Sequence, residues 1–595
     1  MTRNAAPMPM NYTLSKSSGP AAPVEAGYAS LRRLLPLLKG EKRNLAWTGI
    51  SIVISSAGTL AAPLIIGRTI DTSIRNKDFG GVLVSAALLV VMYLTVLVAS
   101  YVQTIRMGTV GRRVLFSLRN LLFSKLQELP VAFFNQNKTG DLISRINNDT
   151  EKLNQFFAQG LVQFVRSYFM MLATGIFLLV LNLRLGAASL LPALGVLVLT
   201  QVISPWVKRK NQKSLQTTGS LSAEIQESLS NFKVIAAFNR FDYFREKFDG
   251  ANRENFTSSV GAGLANGVFV PVYGLASSLA QLTVLAYGIM LVTTGHLTVG
   301  LLIGFMLYVD NFYMPLRQVA SIWSSLQLAL AALDRVSEVL ALESDMSVIP
   351  AESHVSKAVL EFRDVSFRYS GGKDVLRNVT FALEAGKTYA LVGPTGGGKT
   401  TTASLMARLY DSTEGIVLLG GRDIRSYQPE ERTKKIGFIL QEPFLFSGSV
   451  LDNIFYGNAD FIGSSDEQRA EAVAQAGLGN LLERFERGFD SKIETSGDAI
   501  SLGQRQLIAF MRAVLRNPEF LVLDEATANI DTVTEKLLEE TLRALPKETT
   551  KVIIAHRLNT IESADEIFFV NGGELQRAGS LQNAVDMLMK GKRES

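Results

Sequence analysis

The sequence predicts a multi-domain chain: an all-α domain of six transmembrane helices, followed by an α/β domain. Three observations predict it. Five long stretches without Asp, Glu, Lys or Arg fall between Leu45 and Val309, the last of them 55 residues long. From Ala358 onward, short β-rich runs alternate with helical stretches. Over 595 residues, 47% are hydrophobic and only 19% charged, against about 25% charged in ordinary soluble domains.

Composition excludes several classes at once. There is no cysteine, so disulfide scaffolds, thiolate metal sites and cysteine nucleophiles are out. Only three histidines occur, His296, His354 and His556, too far apart in sequence to suggest a zinc site. Sixty basic residues against 54 acidic ones leave +6, a mild excess that gives no argument for nucleic acid.

Residues 1–27 are rich in Ala, Pro and Ser and lack the apolar core of a signal peptide, which predicts a flexible cytosolic tail. Tyr28–Leu38 is amphipathic and suits a membrane surface. Residues 28–342 then form the membrane domain. Crossing about 30 Å of hydrocarbon takes about 20 helical residues. Leu45–Gly67, Gly81–Ile105, Ser167–Leu183 and Leu185–Val207 each supply one span, and Arg184 alone separates the last two, which predicts a tight hairpin there. Asn255–Val309 is too long for one span, and Thr293–Gly300 is the natural break within it. The two long connections, Arg106–Arg166 and Lys208–Glu254, carry nine Lys or Arg each. Basic loops stay cytoplasmic, so both termini are expected inside, and the helices are expected to run on into the cytosol. His296 and His354 read as exposed polar residues, in a short outer loop and in the linker at 343–357. Asp310, an acid inside the sixth apolar segment, reads either as part of a substrate path or as a solvated cavity wall.

The α/β domain spans 358–590. Gly393-Pro394-Thr395-Gly396-Gly397-Gly398-Lys399-Thr400 lies between the apolar run Tyr389–Val392 and a helix starting near Thr400, with Thr401 following. Glycines let backbone N–H groups curl round phosphates, and the helix N-terminus adds a positive dipole. Lys399 reaches the β- and γ-phosphates, and the Thr400 hydroxyl suits Mg²⁺. Phe520–Glu525 is an apolar strand ending in two carboxylates: Asp524 is placed to hold Mg²⁺, and Glu525 to polarise an attacking water. The fold class is therefore a six-helix transmembrane domain followed by an α/β P-loop ATPase domain.

These motifs together make the chain resemble an ATP-binding cassette (ABC) exporter half-transporter of the multidrug and lipid type, from about Leu31 to Met589. On that resemblance Tyr369 matches the aromatic that stacks on adenine. Gln441 matches the lid glutamine that contacts Mg²⁺ and the water. Ser501, Gly503 and Gln504 match the family signature, Asp531 the D-loop, and His556 the switch histidine. The signature departs from its usual form at Leu502, where a glycine is usual, and Thr495–Asp498 before it looks short.

The resemblance implies ATP and Mg²⁺ as cofactors, and ATP-driven export of a lipid, drug or other amphipathic compound by alternating access. It implies a multi-pass protein of the bacterial inner membrane, in contact with lipid, that works with a second half-transporter chain. The altered signature and the ANID form of the D-loop favour a heterodimer over a homodimer. Phe133–Asp149 and Ser228–Arg240 look like coupling helices. An importer of siderophore-like ligands and an ATP-gated channel or regulator are the alternatives on this fold. A soluble ABC ATPase acting on ribosomes or DNA is disfavoured by six fused spans.

Overall fold

The computed structural model describes residues 10–14, 39–352, 354–485, 488–493, 500–524, 532–554 and 561–591. The chain forms two compact units: residues 15–126 with 140–341, and residues 1–14 with 127–139 and 342–595.

The first unit is helical. Among the described residues six helices are long and apolar enough to cross a membrane: Lys39–Ile74, Phe79–Glu128, Thr139–Leu181, Leu183–Ser230, Phe241–Thr293 and Val299–Gln318. The last of these spans belongs to a helix that continues to Leu340. Phe79–Glu128 has 50 residues and Leu183–Ser230 has 48. At 1.5 Å per residue each is roughly 70–75 Å long, more than twice the hydrocarbon thickness. Their apolar parts account for the spans and their charged ends for the extensions.

The hairpin between the third and fourth spans turns at Asn182, not at Arg184, which lies inside the fourth helix. Asn182 is extended (φ −157°, ψ 111°) and its side chain accepts from the Leu185 amide at 3.0 Å. Capping by a short amide outweighs the charge that marked Arg184 in the sequence. The expected break between the last two spans holds, with one helix ending at Thr293 and the next starting at Val299. His296 is exposed there and its Nδ1 lies 3.1 Å from the Thr294 hydroxyl.

The unit's core is made by Leu178, Leu185, Tyr273, Phe305, Tyr308 and Tyr313. Beyond it, Arg145 is 1% exposed and bonds Asp141 at 3.0 Å, Glu338 at 2.7 Å and the Arg335 carbonyl at 2.7 Å. Arg335 answers with Asp141 at 2.6 Å and Asp149 at 3.1 Å. Removing one member of such a buried cluster strands its partners and costs about 3–5 kcal/mol. The cluster therefore makes a rigid joint between the segment after residue 139 and the end of the last membrane helix.

The second unit contains two main sheets. Its strands are β1 (Leu360–Arg368), β2 (Asp374–Leu383), β3 (Thr388–Val392), β4 (Glu414–Leu419), β5 (Arg422–Asp423), β6 (Ile436–Ile439), β7 (Gly448–Ser449), β8 (Lys492–Ile493), β9 (Phe520–Asp524), β10 (Thr550–Ile554), β11 (Glu566–Asn571) and β12 (Glu574–Arg577). The four-stranded sheet has the order β2-β1-β4-β5, and the six-stranded one β12-β11-β3-β10-β9-β6. In the larger sheet β11, β3, β10, β9 and β6 run parallel. They read as continuous apolar runs because both faces are covered. The linker clings to the smaller sheet's end through Ile349 N–H to the Arg425 carbonyl (3.2 Å) and His354 N–H to the Gly421 carbonyl (2.7 Å). That leaves His354 half-buried rather than fully solvated.

Residues 127–139, which join two membrane helices in sequence, pack within this unit. They form the short helix Val131–Gln136, with Phe133 buried and the Asn135 amide donating to the Tyr410 hydroxyl at 2.6 Å. The other expected coupling segment, Ser228–Arg240, holds the helix Phe232–Ala237. Met10–Leu14 also belongs to the second unit and departs from the flexible tail expected of residues 1–27, since Tyr12 is 1% exposed. The amphipathic segment Tyr28–Leu38 lies outside the described residues.

Candidate functional site

The site lies along the carboxyl edge of the parallel sheet, where α/β proteins bind their ligands. Ile554 of β10 registers with Leu391 of β3 on one side and with Asp524 of β9 on the other. Ile439 of β6 registers with Leu523 of β9. The chain therefore leaves four adjacent strands at one level. β3 leads into the glycine loop, β9 ends in Asp524, β6 leads to Gln441, which is exposed, and β10 leads toward His556.

The loop turns as its glycines allow. Gly393 has φ +151° and Gly398 has φ +113°. A Cβ at Gly393 would run into the Val570 carbonyl, and one at Gly398 would sit 2.8 Å from Leu376 Cδ2. The helix Lys399–Met406 starts directly after Gly398, so its free N–H groups and positive dipole end face the loop. Lys399 is 5% exposed, and its ammonium donates to the carbonyls of Gly393 (2.9 Å) and Pro394 (3.0 Å). The loop thus holds a buried cation at its centre, the arrangement that receives a phosphate. Thr395 and Gly396 are exposed at the loop's tip, and Gly397 is buried.

Thr400 donates its hydroxyl to Asp524 Oδ1 at 3.4 Å, and Asp524 is 2% exposed. A hydroxyl and a carboxylate converging at the first turn of this helix are hard oxygen donors. Such a set fits a small divalent cation that keeps water and phosphate oxygens as its other ligands.

Tyr369 follows β1 and is partly exposed. Its hydroxyl lies 3.0 Å from that of Thr401, and Phe367 and Tyr410 support its ring edge-on at 4.9 and 5.3 Å between centroids. Its ring is therefore fixed beside the helix that follows the phosphate loop. Tyr410 drew no attention in the sequence, because a lone tyrosine in RLYDS carries no spacing signal.

Ser501 caps the helix Leu502–Val514 in a capping box. Its hydroxyl accepts from Gln504 N–H at 3.2 Å, and Gln504 Oε1 accepts from Ser501 N–H at 2.9 Å. Gly503 is buried and Leu502 half-buried, so the leucine occupies the first helical turn without displacing the cap. The helix buries Leu507, Ile508, Phe510 and Met511 in a core with Val450, Ile454 and Leu478. The phosphate-loop helix instead buries Ala403, Leu405 and Met406 in another, with strands of both sheets. Phosphate loop and signature are thus built on different cores. Glu525, Asp531, His556 and Thr495–Asp498 lie outside the described residues.

Residues 45–316 match the family model for the ABC transporter transmembrane region, and residues 376–528 match that for the ABC transporter. The chain is 34% identical to the ABC transporter ATP-binding protein YfiC of Bacillus subtilis (strain 168), over 93% of this chain and 91% of that one. It is 31% identical to the ATP-dependent lipid A-core flippase of Haemophilus influenzae (strain 86-028NP), over 93% and 94% respectively. The fold is similar to that of a bacterial Atm1-family ABC exporter solved with ATP bound, with a TM-score of 0.77, 25% identity, and coverage of 93% of this chain and 96% of that one. Six spans fused to an ATP-binding cassette, with relatives matched over nearly their whole length, place the chain in the ABC transporter family, as a multi-pass exporter half-transporter that drives transport with ATP.

Proposed function

We propose that this chain exports an amphipathic compound, with a lipid as the first candidate, and does so as one half of a dimer. One observation carries the dimer: the chain contributes a phosphate loop and a signature cap on separate cores, and Ser501 presents its capped helix end to solvent. The helix Phe232–Ala237 adds to it, since Phe232, Val234 and the adjoining Phe238 are all exposed. Apolar groups gathered on a short cytosolic helix mark a surface that a second chain covers. The similarity to a lipid A-core flippase favours a lipid.

Each site residue takes a role in this reading. Tyr369 stacks on adenine. Residues Gly393 to Thr401 wrap the phosphates, with Lys399 neutralising them. Thr400, Asp524 and Gln441 hold Mg²⁺, which when bound offsets charge on the phosphates. Glu525 orients the attacking water, with His556 near the γ-phosphate. Ser501, Gly503, Gln504 and Asp531 complete the site on the partner chain. Both termini lie in the cytoplasm of a bacterial cell, and the spans cross its inner membrane. The altered signature keeps a heterodimer ahead of a homodimer.

The test uses inverted vesicles containing the chain, with a fluorescent phospholipid as probe. ATP-dependent movement of the probe to the vesicle's inner leaflet supports export. ATP-dependent movement of the probe from the inner to the outer leaflet of the same vesicles points to an importer and overturns the reading. The partner is tested by disulfide trapping, for which the cysteine-free chain is well suited. Gly397 is unsuitable, because a Cβ there would lie 2.6 Å from the Val570 carbonyl oxygen. The exposed Thr395 serves instead. A Thr395→Cys, Ser501→Cys double variant expressed alone should stay uncrosslinked with ATP; efficient self-crosslinking would establish the homodimer.

Asp310 bears on substrate choice. It lies within the sixth span, exposed in the chain, and accepts from Gln281 Nε2 at 2.6 Å. A carboxylate at membrane depth needs water or a cation. Asp310→Asn should raise the half-maximal concentration of cationic stimulants of ATPase activity by about tenfold, equivalent to about 1.4 kcal/mol, and leave neutral ones unchanged. Equal shifts in both would make Asp310 only a solvated wall.

A further inference from the structure

The first described residues, Met10–Leu14, are held more tightly than any tail needs. Tyr12 meets the buried Phe133 edge-on, with centroids 6.3 Å apart and planes at 90°. Its backbone N–H donates to Gln136 Oε1 at 2.8 Å, and its carbonyl accepts from Asn137 Nδ2 at 2.9 Å. Leu14 N–H donates to Asn137 Oδ1 at 3.0 Å. Asn137 also donates to the Phe133 carbonyl at 2.8 Å, so one amide ties the N-terminal segment to the connector. On the other side, the Tyr12 hydroxyl donates to Asp345 Oδ1 at 2.8 Å and accepts from the Asp345 N–H at 2.9 Å. Met10 N–H donates to Asp345 Oδ2 at 3.2 Å.

Two segments are bound at once. One is residues 130–137, the connector between the helix Phe79–Glu128 and the segment that begins at Thr139. The other is Asp345, in the linker that leaves the last membrane helix. Through them the chain joins the cassette unit to three membrane-spanning segments. The connector is further tied to the cassette only a few residues away, through Asn135 and Tyr410. Burial pushes the Tyr12 hydroxyl above its ordinary pKa, so it stays a proton donor to Asp345 throughout the physiological range.

We propose that Met10–Leu14 is a coupling strap: it pins the connector 130–137 and the Asp345 linker to each other on the cassette, so that ATP-driven movement of the cassette is passed to the membrane helices instead of being lost as slip. The inference rests on the ATP-driven reading above but not on the identity or direction of the cargo. Among the described residues, the hydrogen bonds and ring contact of Met10–Leu14 with the rest of the chain run to Phe133, Gln136, Asn137 and Asp345, none of them assigned to ATP chemistry, so coupling and hydrolysis are separable.

The test is hydrogen exchange on the full chain in nanodiscs, purified from membranes together with its dimer partner, with and without ATP and vanadate, together with ATPase activity. In the native protein, nucleotide should alter exchange in both the cassette and the cytosolic end of Phe79–Glu128. In Tyr12→Ala, basal ATPase activity and the cassette's response should stay within about twofold, while the helix's response falls by about threefold or more. Tyr12→Phe keeps the buried ring and loses only the bonds to Asp345. It should give an intermediate loss, and it guards against an effect of misfolding. An unchanged helix response in both variants overturns the strap. If native protein moves no phospholipid probe yet shows the helix response and its loss in Tyr12→Ala, the lipid-export reading falls and the strap stands.

Discussion

Glu525→Gln is expected to leave ATP bound and to lower turnover by about 100-fold or more, equivalent to about 2.7 kcal/mol of barrier. Asp524 ends β9 at the same level as the phosphate loop, nearly fully buried, with the Thr400 hydroxyl at 3.4 Å. Asp524 thus stands at the carboxyl edge of the sheet beside the phosphate loop, and Glu525, which follows it in sequence, is taken as the group that acts on the water. A carboxylate there can accept a proton-side hydrogen bond from water and polarise it toward the γ-phosphate. Glutamine keeps the size and one acceptor oxygen but loses the charge. Ground-state binding, carried by the loop and Lys399, should survive. Turnover within about threefold of native would remove Glu525 from the catalytic role.

Much of this architecture was legible in the sequence, and the reasons are physical. A span must exclude charge over about 20 residues, so Leu45–Gly67 and Gly81–Ile105 stand out whatever their tertiary packing. The strands β3, β6, β9 and β10 are buried on both faces and so appear as unbroken apolar runs. The turn at Asn182 was less visible, because Asn is uncharged and interrupts no hydropathy run, whereas Arg184 does. The strap was not legible at all. Tyr12 sits in a polar, Pro-containing stretch with no periodicity, and its burial depends on partners 121 to 333 residues away, such as Phe133 and Asp345. Long-range side-chain bonding leaves no local pattern to read. The signature lay between these cases: Ser501 and Gln504 could be found by motif, and the capping box explains why that pair tolerates Leu502. Ser501 and Gln504 bond each other's backbone N–H groups, and neither bond involves the side chain between them.

Lys399→Ala should act one step earlier than Glu525→Gln, on binding itself. The ammonium is nearly fully buried and is held by two carbonyls of its own loop, Gly393 at 2.9 Å and Pro394 at 3.0 Å. These bonds do two things before any nucleotide arrives. They fix the loop's curl, and they keep a positive charge where the phosphates must sit. A triphosphate replaces the carbonyls as the stronger acceptor, since hydrogen bonds to charged groups contribute about 1.5–3 kcal/mol each, roughly twice the neutral value. Alanine removes the charge and leaves both carbonyls short of a donor. Nucleotide affinity, followed by fluorescence titration, should fall by about tenfold to a hundredfold, and turnover with it. Lys399→Arg should not restore it, because a planar guanidinium is bulkier than the ammonium that this enclosed loop surrounds. Affinity and turnover both unchanged in Lys399→Ala would mean that Gly393–Thr400 does not hold the phosphates. Loss of turnover at unchanged affinity would leave the loop as the phosphate site and confine the lysine to the transition state.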